Sequence, residues 1–196
     1  MVVWPFGRNH NVKLFIEGGG RGKDLKSELR TGFASFLRKA GFEGRSPKIV
    51  ASGGRADAFG DYQIETRSTI AMLLLDSEAP VTVSSPWRHL AEVDGWRTQE
   101  FPDADCHLMV QVMEGWLLAD PAAMKDRSHG PPDDIERIPK SEALARIKNR
   151  VEGGNPKSAA CRILASVNPE AVKKRSRWAR RFFEELDRRM PPPRVK

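Results

Sequence analysis

The sequence predicts an α/β fold: an open sheet of mainly parallel strands flanked by helices, followed by a helical C-terminal part. Three observations predict it. The first 78 residues alternate strand and helix patterns in the order β-α-β-α-β. Each strand-like run closes on a polar or glycine-rich turn. Residues 70–75, IAMLLL, are an unbroken apolar run, as expected of a strand covered on both faces of a parallel sheet.

The elements follow in order. VKLFIE, 12–17, is short and apolar and ends on an acid before the glycine cluster EGGGRGK, which reads as a strand and a turn. From Lys23 to Ala40 the residues Leu25, Leu29, Phe33, Phe36, Leu37 and Ala40 recur at threes and fours, giving one apolar helix face that stops at Gly41. KIVA, 48–51, reads as a second strand and 56–67 as a second helix, with Ser52-Gly53-Gly54-Arg55 between them. IAMLLLDSE, 70–78, is the third strand. A short helix is expected at 86–93, a fourth strand at 106–111 and another short helix after Pro121. A loop follows at 128–134, a helix from Ser141 to Val151, a break at GGNPK, 153–157, and helices at 158–166 and 169–189. The division predicted is a leader at 1–11, an α/β core at 12–127 and a helical extension at 128–196 packed on the core.

Composition narrows the function classes. The chain has 196 residues and a formal net charge of +7, and its two cysteines, Cys106 and Cys161, have no second ligand at zinc-site spacing. No apolar run reaches membrane-span length, and the first residues lack the features of a secretory signal. This predicts a cytoplasmic protein with idle thiols and no membrane partner. The positive charge favours polyanions, and by itself leaves nucleic-acid binding and no specific anionic partner equally open. His10, His89, His107 and His129 are scattered, with no metal spacing or nucleophile motif among them, and read as structural or surface residues.

The acids at the strand ends carry the most chemistry. Glu17 closes the first strand, and Asp76-Ser77-Glu78 closes the third. Residues i and i+2 of an extended chain point the same way, so Asp76 and Glu78 are expected to aim at one place, with Glu17 arriving from a neighbouring strand. Three such carboxylates repel one another, and a hard cation with oxygen ligands, Mg²⁺ or Mn²⁺, resolves the repulsion. The plain alternative is that they cap helices or solvate loops. The turn GGGRGKD fails both the Walker and the dinucleotide patterns. Its glycines allow close approach to an anion or metal, with Arg21, Lys23 and, on the second glycine turn, Arg55 as candidate phosphate contacts. In the last helix Arg177, Arg180 and Arg181 belong to a basic run without acids, either a phosphate-tracking face or a solvated amphipathic helix.

A strand ending in Glu-Gly, a helix, and a later strand ending in acid-x-acid together resemble the Toprim domain. LFIEGGG, IVASGGR, LLLDSEAPV with PWRHL, and CHLMVQVMEGWLLAD are similar to a bacterial family of unknown function. That family is Toprim-like and often encoded beside ABC- or AAA-type ATPases in phage-defence loci. The resemblance spans about residues 12–120, and more weakly 138–140 and the C-terminal helix. It implies a Toprim-like fold and a Mg²⁺- or Mn²⁺-dependent nuclease in which Asp76 and Glu78 hold the metal and Glu17 completes the site or handles protons. It further implies Glu114 as an added acidic position, Lys140 near the phosphates, and an ATPase partner. Two departures stand out. Glu78 replaces the commoner Asp, and Arg21 stands where the nuclease branch carries a second acid, with Asp24 the nearest substitute. The other readings are a non-catalytic binding or regulatory subunit of an ATPase, and another metal-dependent phosphoryl- or glycosyl-transfer enzyme. The only tyrosine, Tyr62, lies in no nucleophile pattern.

Overall fold

The structure is a computed structural model and describes residues 12–20, 22–125, 130–149 and 155–192. Two apolar strands start it. Strand β1 (Val12–Gly19) leads through the glycine turn into helix α1 (Lys23–Leu37), which closes in a wider π-helical turn at Arg38–Phe42. Strand β2 (Lys48–Gly53) is followed by helix α2 (Arg55–Glu65), and strand β3 (Ile70–Asp76) by helix α3 (Pro86–Asp94). Strand β4 (Cys106–Met109) leads into the short helix α4 (Met113–Leu118). Then come α5 (Lys140–Lys148), α6 (Pro156–Leu164), α7 (Pro169–Arg175) and α8 (Arg177–Arg189).

The four strands are parallel, in the order β2-β1-β3-β4. The fold class read from the sequence is therefore the one observed. Strand side chains alternate between two apolar layers. Leu14, Ile16, Met72 and Leu74 join α1 and most of the C-terminal helices on one face. Phe15, Leu73, Leu75 and Leu108 join Ala58, Phe59 and Tyr62 of α2 and Trp87 and Leu90 of α3 on the other. Burial of both faces explains why β3 is an unbroken apolar run rather than an alternating one. Among the described residues no helix is long and apolar enough to cross a membrane.

Several boundaries differ from the sequence reading, each for a local reason. The expected helix 169–189 is two helices. Ser176 takes extended backbone and caps α8 by accepting from the Ala179 amide, while its hydroxyl donates to Glu136. The helix expected after Pro121 lies before it instead, in MEGWLL, because the Asp76 carboxylate receives the first amide of α4. Helix α6 begins at Pro156, where proline fits a first turn and the Asn155 side chain caps it. The fourth strand stops at Met109, two residues short of the expected end.

Glycine makes one helix contact possible. A Cβ on Gly32 of α1 would lie 2.4 Å from the Cys161 carbonyl oxygen, so α6 seats directly on the α1 backbone. Residues of α6 and α8 share one apolar cluster with α1 and β1, so the helical extension packs on the α/β core.

Candidate metal centre

The strand order reverses at β1 and β3, whose connections leave to opposite sides. In open α/β sheets the crevice at the carboxyl ends of such strands is where ligands bind. Glu17 and Asp76 stand at those two ends. Glu17, Asp76 and Glu78 each bring a carboxylate oxygen to within 4.8 Å of the others. All three are partly buried.

The convergence does not arise as the extended-strand argument supposed. Strand β3 ends at Asp76, and Glu78 has φ 64, in the left-handed region. A turn, not the pleat, carries the second acid back to the first. The turn is held firmly. The Ser77 amide donates to the Met109 carbonyl (3.0 Å) and the Glu78 amide to the Gln111 carbonyl (2.9 Å). Buried His89 donates from Nε2 to the Ser77 carbonyl at 2.8 Å. Rigid support of this kind keeps a non-glycine residue at positive φ, a state that costs about 1–3 kcal/mol.

Each acid has its own partners. The Glu17 Oε2 accepts from the Asp76 amide (3.3 Å) and from Arg55 Nη1 (3.2 Å). Asp76 Oδ1 accepts from the Met113 amide (2.8 Å). Glu78 pairs with the Lys140 ammonium, and the Lys140 amide donates to the Gln111 side chain. Burial pushes the Asp76 carboxyl well above the usual carboxylate range, and the charges of Glu17 and Glu114 push the same way. Burial also raises Glu17, opposed by Arg55 and assisted by Glu78. Crowding three carboxylates in a half-dry crevice is thus costly as it stands. Three oxygen donors of this hardness fit Mg²⁺ or Mn²⁺, which take carboxylates and retain waters.

The remaining candidates divide. Glu114 lies in the first turn of α4, partly buried. Its charge helps raise the Asp76 pKa, and the Glu78 charge helps raise its own. Lys140 is in the crevice. Arg55 is there too, but in a different relation from the one expected: its guanidinium is engaged by protein groups. Nε and Nη2 form a two-pronged pair with Asp94 (2.7 and 2.9 Å), and Nη1 contacts Glu17 and the Asp76 carbonyl. Lys23 is exposed at the start of α1. Arg21 lies outside the described residues. Arg177 contacts Glu136 and the Val81 carbonyl, Arg181 contacts the Asp103 carbonyl, and Arg180 is exposed. Asp103 precedes β4, so Arg181 sits toward the opposite end of the sheet and is not brought to the acids.

Sequence reasoning missed Asp94 and Gln111. Asp94 had one legible signal. It is the last residue of α3, before Gly95, where the helix dipole disfavours a carboxylate. A separate cleft of about 500 Å³, lined by Lys13, Phe15, Arg30, Asp61 and Glu65 among others, contains none of Glu17, Asp76 and Glu78.

The comparison with known families decides the affiliation. The family described as Domain of unknown function (DUF4276) matches residues 16–187. The chain belongs to that family. The match includes Glu17, Asp76, Glu78, Arg55, Asp94, Glu114 and Lys140, and it runs through both the sheet and the C-terminal helices. No curated protein and no solved structure matches the chain.

Proposed function

We propose that this DUF4276 protein is a Toprim-like, Mg²⁺- or Mn²⁺-dependent nuclease or nuclease-like effector. It would act on nucleic-acid phosphodiesters in the cytoplasm, in anti-phage defence with an ATPase partner. The observation that carries the reading is the meeting of Glu17, Asp76 and Glu78 within 4.8 Å at the switch point of a parallel sheet. The three acids would hold the cation. When bound, the cation supplies charge stabilisation at the scissile phosphate and a more acidic water. The chain's own groups do the rest. The Met113 and Asp76 amides fix the carboxylates, and Lys140, freed from Glu78, is a cation within reach of a phosphate. Glu114 adds a partly buried acid whose raised pKa suits proton transfer.

The test is cleavage of single- and double-stranded DNA and RNA with Mg²⁺ or Mn²⁺, with and without a co-encoded ATPase. Asp76→Asn is expected to abolish cutting while binding persists, since the amide keeps the shape and removes the charge. Full activity in Asp76→Asn would place the chemistry elsewhere.

A second reading is a non-catalytic binding subunit of an ATPase. It is favoured by one observation: Arg55 and Lys140 already counter two of the three acids. Capture of the ATPase with no metal-dependent cutting under any condition would select it.

A further inference from the structure

Arg55 is the first residue of α2, and Asp94 is the last of α3. Their side chains meet beside Glu17, largely out of water: 13% of the Arg55 side chain, 15% of Asp94 and 17% of Glu17 is exposed. The guanidinium presents its fork to Asp94, with Nε to Oδ1 at 2.7 Å and Nη2 to Oδ2 at 2.9 Å. Only Nη1 is left for the centre. It gives Glu17 one longer contact, 3.2 Å, and also touches the Asp76 carbonyl. The Trp96 ring lies 5.6 Å from the guanidinium carbon and is stacked on Phe59 at 4.3 Å, which frames the pair from the side.

This geometry settles a competition. An arginine prefers to meet a carboxylate with two parallel N–H groups. Without Asp94 the nearest carboxylate open to that fork is Glu17. A forked Arg55–Glu17 pair would cancel the charge of Glu17 and occupy the space between the strand ends. With Asp94 in place, the arginine charge is met by Asp94, and Glu17 keeps an oxygen for the shared position with Asp76 and Glu78. We propose that Asp94 is a positioning residue: it holds the Arg55 fork away from Glu17 so that Glu17 remains available as a cation ligand. The proposal rests on the metal-centre reading for its effect on cation binding. The placement of Arg55 tests it without any metal.

The experiment uses the full chain as wild type, Asp94→Asn, Asp94→Glu and Asp94→Asn/Arg55→Gln. Mn²⁺ affinity is read from the free-ion resonance signal, Tm is measured without metal, and crystal structures of the metal-free wild type and Asp94→Asn are compared. Asp94→Asn is expected to weaken Mn²⁺ binding about 10- to 100-fold, the size usual for groups that orient ligands. Its structure is expected to show two N–H contacts from Arg55 to Glu17. Removing the arginine in the double variant is expected to restore affinity to within a few-fold of wild type, and Asp94→Glu, which keeps the charge, to bind like wild type. A packing role alone would lower Tm in Asp94→Asn and leave Mn²⁺ affinity unchanged, which overturns the proposal. So does a double variant as weak as Asp94→Asn. If the wild type takes up no Mn²⁺, the metal-centre reading fails by itself, and the Asp94→Asn structure then decides. Arg55 forked onto Glu17 upholds the positioning role; Arg55 still on residue 94, or turned to solvent, ends it.

Discussion

The Asp76 amide donates to the Glu17 carboxylate at 3.3 Å, tying together the ends of two adjacent parallel strands. The bond runs from the Asp76 backbone to the Glu17 side chain, so the sheet fixes the donor and the Glu17 carboxylate is held over the neighbouring strand end. It also keeps Glu17 beside Asp76 although the two carboxylates repel one another.

That repulsion predicts a stability crossover. Burial and like charge raise the Asp76 pKa in the folded state, so the metal-free fold favours the protonated acid, and its charged form at neutral pH costs stability. Asp76→Asn is therefore expected to raise the metal-free Tm by a few degrees, since each kcal/mol moves Tm by about 2–4 °C in a domain of this size. Asparagine keeps an oxygen for the Met113 amide. Saturating Mn²⁺ should raise the wild-type Tm and leave the variant unmoved. Thermal melts with and without metal check both halves. A variant that melts lower without metal would show that the acid cluster is not strained.

His107 makes an acid-sensitive element away from the crevice. Its ring is buried against Phe182, Nε2 contacts the Ala104 carbonyl, and Nδ1 has no partner among the described residues. Burial first, and then Arg181 and Arg189, push its pKa down to about 3. The unfolded chain takes up this proton near pH 6.5, so between there and about 3 the unfolded state binds more protons. Stability then falls with falling pH, by up to about 1.4 kcal/mol per unit from this group. The raised acids of the crevice slope the other way, so the difference between proteins is the informative quantity. His107→Gln is expected to lose less stability than wild type between pH 6.5 and 4.5 in urea titrations. Equal losses would rule His107 out.

The basic face of α8 is expected to contribute less to nucleic-acid binding than its composition suggests. Arg181 is bonded to the Asp103 carbonyl and only partly exposed, whereas Arg180 is exposed, and Arg177 is exposed too although it reaches Glu136 and the Val81 carbonyl. Arg180→Gln should reduce the slope of log Kobs against log salt by about one, as for the loss of one phosphate contact, with little change in Tm. Arg181→Gln should lower Tm. An unchanged slope in Arg180→Gln would mean that this face meets no phosphate.

The seating of α6 on α1 is tested at Gly32. A methyl group there would meet the Cys161 carbonyl at 2.4 Å, backbone that cannot simply rotate away. Gly32→Ala is expected to cost about 1–3 kcal/mol, a Tm loss of about 2–12 °C. Gly60→Ala, inside α2 with open space around it, is the control and should be neutral or stabilising by up to about 1 kcal/mol. Equal effects at the two sites would mean that α6 yields easily.

The sequence by itself determined the strands, their order along the chain and the acids that end them. Those features are local: an apolar run such as residues 70–75 must be covered on both faces, and the glycines after Glu17 mark where a strand gives out, here at Gly19 after irregular pairing with Gly53. Only the tertiary structure decided how the acids meet and what surrounds them. Glu78 reaches the centre through a left-handed turn held by Gln111 and His89, not through the strand pleat. Arg55 finds Asp94 from 39 residues away and Lys140 finds Glu78 from 62. No periodicity encodes such pairs. They exist because the sheet order β2-β1-β3-β4 brings the starts of α2 and α5 and the end of α3 to one crevice, and long charged side chains settle there on whichever partner is nearest and driest.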